Sequence, residues 1–325
     1  MLTLYTSSGE VREPPADLGA AALASDVVWV DLLRPSPTEA AFVERASALR
    51  LPDLADLSEI EASSRLRVED TVLYLSAPLV YRATDADPQT TPVGFILTPQ
   101  RLITVRFEPL IAFTAAVAAP RASAGEAFAG LVEAIIDRLA DVLEHIAAEL
   151  DVLSHRLFRS GPIAPGKNRR PARAAADLRV ILRRVGASGD LVSKLRDSLL
   201  GLGRIVAYVG GLGATCLPDT VRPRLETMRH DIISLSDYDA HLVNKVQLLL
   251  DATLGLINVE QNDIIKVLTI VSVVGVPPTL VASLYGMNFK DMPELSWAWG
   301  YPYGLALIAV SAVAPLLWFK WRGWF

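Results

Sequence analysis

The sequence is poor in the residues from which disulfides and transition-metal sites are built. It has one cysteine, Cys216, and four histidines among 325 residues. One cysteine cannot form an internal disulfide, and no zinc-ligand spacing such as CxxC or HExxH is present. This scarcity argues against a transition-metal enzyme.

An excess of positive charge is also missing. The 31 lysines and arginines are outnumbered by 36 aspartates and glutamates, so the formal net charge is −5. This balance gives no sign of a nucleic-acid partner. Residues 201–203 and 210–213 are rich in glycine but lack the lysine and the strand-to-helix context of a phosphate loop, and they are interpreted as a turn between helices.

The first 120 residues contain no recognisable catalytic constellation. Neither a nucleophile–base pair nor paired catalytic carboxylates nor a cofactor loop can be identified among them. They are better interpreted as a sensor or oligomerisation domain, and we expect the protein not to be an enzyme.

Charged residues are absent from two long stretches near the C-terminal end, residues 267–288 and 295–319. Each stretch reaches the length of about 20 residues that a helix needs to cross a hydrocarbon core. The first eight residues have neither the basic nor the apolar region of a signal peptide. The sequence therefore predicts a multi-pass membrane protein, with spans at residues 267–288 and 301–320, an outer loop at 289–300 and a tail at 321–325.

Before the spans, the sequence divides into three predicted parts. Residues 1–120 form an α/β domain, with strands at 2–6, 27–33, 71–81, 93–97 and 102–107 and a helix at 37–50. Residues 121–215 form a helical hairpin whose first helix is acidic and whose second, from 172 to 208, is basic. The two helices could pair through these charges, but solvated helix faces are the simpler interpretation, and they are favoured over a metal-binding role of the acidic helix.

Residues 216–266 are predicted to be a stalk helix that continues into the first span. No proline interrupts residues 224–276. If helical as far as Tyr285, this segment has about 60 residues and a length of about 90 Å. The predicted fold class is thus an α+β membrane protein with a cytosolic α/β domain, a long hairpin, this stalk and two C-terminal transmembrane helices.

One face of the stalk helix carries mostly small or polar residues for about nine turns. Steps of three and four residues connect Asp251, Gly255, Asn258, Asn262, Ile265, Leu268 or Thr269, Ser272, Val276, Thr279 and Ser283. Such residues can mark close helix packing in a bilayer. The length of the row favours instead a surface that faces water.

A single helix cannot enclose a channel, so a pore would require a homo-oligomer around a symmetry axis. Asp251 would then form a ring of carboxylates that attracts cations, and Val276 and Leu268 would form apolar constrictions. Basic residues flank the spans on one side, at Lys245, Lys266, Lys320 and Arg322, which predicts that both termini are cytoplasmic.

The loop between the spans carries a family resemblance. The segment Tyr285-Gly286-Met287-Asn288-Phe289, with Met292-Pro293-Glu294-Leu295 and Trp299-Gly300-Tyr301-Pro302 after it, resembles the CorA family of divalent-cation channels. The resemblance covers about the last 100 residues in detail. It implies a homopentameric funnel in the inner membrane, a pore lined by the first span, and a selectivity filter at Gly286, Met287 and Asn288. Ser283 departs from it, because many relatives have glycine there.

The transported and regulatory ion implied by this resemblance is Mg²⁺, with Co²⁺ or Zn²⁺ as further candidates. A neutral ring of Asn288 amides suits an ion that keeps its waters, and Asp291 and Glu294 could concentrate cations outside it. The family's gating by cytosolic Mg²⁺ between subunits has no clear match here, and Glu226, Asp231 and the segment 58–70 are candidates for that regulatory site.

Two other functions stay open from the sequence. One is a transporter of Zn²⁺, Co²⁺ or Ni²⁺ similar to ZntB, with proton coupling as one form of it. The other is a membrane-tethered scaffold that conducts no ions. The scarcity of histidine and cysteine near the polar row argues against a tight zinc site, and a scaffold needs neither that row nor the Gly-Met-Asn loop.

Overall fold

The computed structural model describes residues 1–15, 18–19, 22–59, 61, 65–85, 87–117, 121–159, 171–212, 217–288 and 292–324. The side chains of residues 171–175, 212, 294 and 295 are outside this description. Contacts divide the chain into two compact units. The first comprises Met1–Ile163 and Arg183–Leu250, and the second comprises Ala164–Leu182 and Asp251–Phe325.

The first unit contains a seven-stranded sheet in the described part of the chain. The strands are β1 (Leu2–Thr6), β2 (Val11–Arg12), β3 (Val27–Leu33), β4 (Leu66–Glu69), β5 (Val72–Tyr81), β6 (Gln89–Leu97) and β7 (Leu102–Arg106). Their spatial order is β2-β1-β3-β7-β6-β5-β4. The central pair, β3 and β7, is parallel, and its register places Val30 opposite Ile103. The other neighbours are antiparallel.

The helices are α1 (Pro37–Ser47), α2 (Leu54–Ser58), α3 (Ile111–Ala116), α4 (Ala124–Phe158), α5 (Pro171–Leu212), α6 (Arg222–Tyr285) and α7 (Gly300–Trp321). Capping boxes begin both α1 and α2, where Ser36 and Asp53 each accept a hydrogen bond from the backbone three residues later. Ser123 caps α4 in the same way. The short 3-10 helix Pro293–Ser296 precedes α7.

Both faces of the sheet are buried. On one face, Val30, Ile103 and Ile96 join Phe42 of α1 and Leu57 of α2 in one apolar cluster. On the other face, α4 packs against β3, β6 and β7. There Phe95 meets Phe128 of α4 edge to face, with ring centroids 6.1 Å apart. The predicted α/β domain is confirmed, and the strands predicted at residues 2–6 and 27–33 match β1 and β3.

A buried polar chain crosses the centre of the sheet. The indole of Trp29 donates to the hydroxyl of Thr104 at 3.0 Å, and Thr104 donates to Asp31 at 2.7 Å. Arg106 closes the chain with a bidentate ion pair to Asp31. All of these groups therefore have partners, as buried polar groups require.

The ion pairs of α4 and α5 run to α6. Arg224 of α6 bonds Glu133 of α4 at 2.8 Å, and Lys245 of α6 bonds Asp151 of α4 at 2.7 Å. In the described residues no ion pair joins the acidic helix to the basic one. Their opposite charges therefore do not hold the two together by direct pairing.

The prediction of a turn at the glycine-rich residues 201–203 was wrong, because α5 continues through them to Leu212. A Cβ at Gly201 would lie 2.9 Å from the Cβ of Ala77 on β5. Glycine is needed there for close approach of helix and sheet, and not for a bend. At Gly210 and Gly211, which are also helical, a Cβ would meet no atom within 4 Å.

The second unit contains the two apolar helices. Within the described residues, α6 and α7 are long and apolar enough to cross a membrane, with mean hydropathies of 2.0 and 1.8 in their most apolar windows. The predicted continuous stalk is confirmed: α6 has 64 residues. It ends at Tyr285, three residues before the predicted end of the first span, and the predicted domain boundaries remain predictions.

The end of α7 is closed by a Schellman motif. Trp324 N–H bonds Phe319 C=O at 3.1 Å, and Gly323 N–H bonds Lys320 C=O at 3.2 Å. Gly323 has the left-handed φ of 71° that this motif needs. The rings of Phe319 and Trp324 lie 5.0 Å apart, which is the apolar contact that usually accompanies the motif.

Candidate pore-lining surface

The predicted polar row occupies one exposed face of α6. Every predicted lining position is helical and exposed in the single chain, namely Asp251, Asn258, Asn262, Leu268, Ser272, Val276, Thr279 and Ser283. The two large apolar members are well exposed, Leu268 at 65% and Val276 at 62%.

The opposite face of α6 carries most of the less exposed residues of the span. These are Ile270, Val274, Pro277, Pro278, Val281 and Tyr285, whereas the half-buried Thr269 lies about 20° from Val276, on the row itself. At about 100° per residue, Val274 and Val281 lie about 160° and 140° around the helix from Val276. The polar row therefore faces away from the side on which α6 is partly covered by its own chain.

The second span has a matching stripe of reduced exposure. Its members recur every three or four residues, at Gly304, Leu307, Ile308, Ser311, Ala312, Pro315 and Phe319. The remaining faces of α7 expose large apolar groups such as Leu305, Val310 and Leu317. Each span thus has a single side suited to helix packing, and α7 has no polar row.

The backbone of α6 is weakened beside the row. Pro277 and Pro278 lie inside the helix, and because proline has no N–H they leave the carbonyls of Val273 and Val274 without their helical donors. The next residue is Thr279, whose hydroxyl donates a hydrogen bond to the Gly275 carbonyl at 2.8 Å. That bond fixes the hydroxyl against its own helix.

The predicted filter residues lie just beyond the end of α6. Gly286 N–H bonds Ala282 C=O at 3.0 Å, and Met287 N–H bonds Leu284 C=O at 3.3 Å, so the chain leaves the helix in a tight turn. Asn288 follows and is exposed. No hydrogen bond from the described residues restrains its side-chain amide, so the amide is available to another group.

The rest of the loop is described in part. Asp291 lies outside the described residues, and Glu294 falls in the 3-10 helix with its side chain outside the description. Their role in attracting cations stays a prediction. Trp297 packs on Tyr303 with ring centroids 5.8 Å apart, while Trp299 is 68% exposed. Such exposed aromatics at a span end are typical of a membrane interface.

Comparison with known proteins decides the family. The family model described as CorA-like Mg²⁺ transporter protein matches residues 24–321. The chain belongs to this family. The magnesium transport protein CorA of Haemophilus ducreyi is 34% identical over 306 residues, covering 92% of both chains. That of Salmonella typhimurium is 32% identical over 305 residues, again with 92% of each chain covered.

Solved structures agree on the CorA fold. The complete CorA magnesium transporter from Methanocaldococcus jannaschii superposes with a TM-score of 0.73 at 17% identity, over 100% of this chain and 99% of that one. The cytoplasmic domain of ZntB from Vibrio parahaemolyticus gives 0.56 at 13% identity, over 78% and 96%. At these identities the likeness concerns the fold alone.

Glu226 and Asp231, the two single residues among the regulatory candidates of this CorA-family chain, have different surroundings in the first unit. Glu226 is engaged with Arg229 at 2.6 Å, and this hydrogen bond lowers the pKa of Glu226. Asp231 is one of several carboxylates that, after burial, raise the pKa of Asp137. No group of three or more potential metal ligands occurs among the described residues. The regulatory site stays a prediction.

Sequence reasoning missed Glu260 in the second unit. It lies on α6 between Asn258 and Asn262, and its Oε1 atom is buried without a hydrogen-bond partner in the described part of the chain. An unpartnered buried carboxylate oxygen is costly. The available signal was an acidic residue placed between two asparagines of the polar row, less than two turns before the uncharged stretch.

Proposed function

We propose that this chain forms a homo-oligomeric channel for Mg²⁺ uptake across the inner membrane, with both termini in the cytoplasm. The observation that carries the proposal is the orientation of the polar row, which faces away from the covered side of α6. Membership of the CorA family and relatives named magnesium transport proteins support the choice of ion. The protein has no assigned enzymatic role in this proposal.

The pore is formed by α6 helices from several copies, five by resemblance, because one row cannot enclose water. Symmetry would turn each position of the row into a ring. Val276 and Leu268 then form apolar rings that close by dewetting, and Asp251 forms a carboxylate ring at the cytoplasmic end. The less exposed stripe of α6 stays on the outside of the pore, toward α7.

Ion selection follows from the chemistry of Mg²⁺. This ion dehydrates reluctantly and demands near-ideal octahedral geometry. A ring of exposed Asn288 amides offers acceptors to its bound waters without trapping it by charge. An inside-negative potential drives a divalent ion with about 4.6 kcal/mol per 100 mV, twice the value for a single charge. No coupled ion is needed, and cytosolic Mg²⁺ bound between subunits closes the channel.

Flux into liposomes tests this function. The full chain is reconstituted with an Mg²⁺-sensitive dye inside and a potassium diffusion potential, and Asn288→Ala is compared with wild type and with Val310→Ala on an exposed face of α7. We expect Mg²⁺ flux in wild type and in Val310→Ala and a reduced flux in Asn288→Ala. Unchanged flux in Asn288→Ala overturns the filter, and a wild type without flux supports the scaffold.

Uptake of different ions distinguishes the proposed Mg²⁺ channel from a ZntB-like transporter. The same liposomes are assayed with Zn²⁺, Co²⁺ and Ni²⁺ outside, with and without a proton gradient. The proposal expects uptake of Mg²⁺ that does not depend on that gradient. Transport of Zn²⁺ alone, driven by protons, would assign the chain to the ZntB-like function.

A further inference from the structure

A cavity of about 290 Å³ lies in the first unit, on the α2 side of the sheet, far in sequence from the polar row. Its lining includes Arg50, Arg65 and Arg67 together with Leu57 and Ser76. Its volume is close to the lower limit of about 300 Å³ for small-molecule sites. The proposed ion channel makes no use of it.

The floor of the cavity is created by a glycine opposite a serine. Ser76 of β5 is paired with Gly94 of β6, so their side chains share one face of the sheet. A Cβ on Gly94 would lie 2.8 Å from Leu57, which shows that this face points toward α2. With no side chain at Gly94, the space beside Ser76 stays open.

The Ser76 hydroxyl is a polar group on the lining of this cavity. Ser76 is only 6% exposed, it lines the cavity, and its side chain makes no hydrogen bond with any of the described residues. Its oxygen is not among the fully buried side-chain atoms without a partner, so it is accessible from the cavity. A ligand oxygen there would supply the hydroxyl with a hydrogen-bond partner.

The three arginines keep most of their donors free. Arg65 donates through Nε to the backbone carbonyl of Glu59 at 2.7 Å. Arg67 lies 4.5 Å above the ring of Tyr74 and forms an exposed ion pair with Glu69, 3.3 Å from Nε to Oε1. Arg50 has a loose contact of 3.5 Å with Asp56. Among the described residues none of the three has a bidentate carboxylate partner, in contrast to Arg12, which forms two hydrogen bonds with Asp26.

We propose that this cavity binds a small phosphate-bearing anion. Guanidinium groups match phosphate oxygens in pairs, and three of them with one hydroxyl suit a group with several acceptor oxygens. The carboxylate of Asp56 accepts a hydrogen bond from the Asp53 N–H and contacts Arg50 at 3.5 Å, so a ligand must compete with it for Arg50. Glu59 also lines the cavity and opposes binding, so the lining keeps one net positive charge.

Calorimetric titration of the detergent-solubilised full chain tests this site. The probes are inorganic phosphate, ribose 5-phosphate and AMP at constant ionic strength, so that free and organic phosphate are distinguished. We expect at least one probe to bind with a dissociation constant below about 1 mM. Absence of binding by all three probes overturns the proposal.

Variants assign the binding to the cavity. Arg65→Gln should weaken binding by about tenfold or more, as expected for a charge-assisted hydrogen bond. Ser76→Ala, which removes a single hydroxyl, should weaken it by a few fold, and Glu59→Gln should tighten it. Arg12→Gln is the matched control, since it removes one arginine outside the cavity. Equal weakening in Arg12→Gln, or unchanged affinity in both Arg65→Gln and Ser76→Ala, contradicts the site.

Discussion

Asp239 of α6 binds Arg196 of α5 through one carboxylate oxygen only. Oδ2 accepts a hydrogen bond from Arg196 Nε at 3.0 Å, whereas Oδ1 is buried with no partner among the described residues. The carboxylate is 1% exposed. Burial raises the pKa of Asp239, and the hydrogen bond from Arg196 opposes this shift without cancelling it. The charged form is thus poorly compensated in the folded protein.

The raised pKa of Asp239 predicts how stability depends on pH. A carboxyl with a folded pKa above its unfolded value stabilises the fold below the unfolded pKa, and this contribution is lost as pH rises through the folded pKa. Thermal unfolding of wild type and Asp239→Asn should therefore show wild type gaining relative to the variant between pH 7 and pH 4. A difference that does not vary with pH, or that favours wild type at alkaline pH, contradicts the shift.

Replacement by alanine should have opposite effects on stability at two helical glycines, Gly201 and Gly210. Gly201→Ala places a methyl group 2.9 Å from Ala77, and such overpacking costs about 1–3 kcal/mol. Gly210→Ala has open space and should stabilise α5 by about 0.5–1 kcal/mol through helix propensity. Unfolding midpoints of the two variants check both signs. Equal changes in the two unfolding midpoints would mean that the close approach of α5 and β5 does not exclude a side chain at Gly201.

The polar chain across the sheet should be sensitive to loss of one hydroxyl. Thr104→Val keeps the side-chain volume but leaves the Trp29 N–H without its acceptor and removes one of the two hydrogen bonds to Asp31 Oδ1, the other coming from Arg106. Loss of the partner of the buried N–H costs about 1–3 kcal/mol. Thr91 on β6 is also buried, but its hydroxyl has no hydrogen bond within the described residues. Thr91→Val is therefore the control, and it should cost much less in unfolding followed by tryptophan fluorescence.

The proposed ring of Asp251 carboxylates predicts that the effect of Asp251 on transport depends on salt concentration. In the liposome assay, Asp251→Asn should lower Mg²⁺ flux several-fold at low ionic strength, with a smaller effect at high ionic strength. Asp263 is paired with Lys266 at 3.1 Å and lies on the other side of α6. Asp263→Asn should therefore change flux little. Similar losses in both variants would contradict the orientation of the row.

Much of the α/β domain could be predicted because its strands are β-branched runs with clear ends. β1 and β3 were located to the residue, whereas β4 was missed because Leu66–Glu69 is a largely exposed edge strand with charged side chains. The five-residue α2 was missed as well, although Asp53 and Asp56 form a capping box at its start. Short elements depend on contacts that periodicity does not contain.

Sequence periodicity likewise predicts some features of the candidate site and misses others. Helical periodicity was sufficient to place Asp251, Val276 and Thr279 on one face, because α6 is a continuous helix there. It could not reveal which side of α6 its own chain covers, nor the unpartnered oxygen of Glu260. Gly201 shows the same limit, since a glycine that permits close packing looks in sequence like a glycine that turns the chain.

The parallel pairing of β3 with β7 has a consequence for biosynthesis. Val30 meets Ile103 across the centre of the sheet, so the sheet cannot close until the ribosome has passed residue 106. The first uncharged stretch begins 160 residues later, at residue 267. At about 5–20 residues per second, roughly 10–30 s separate the two events. The α/β domain can therefore fold before the nascent chain presents the apolar segments of the two candidate spans.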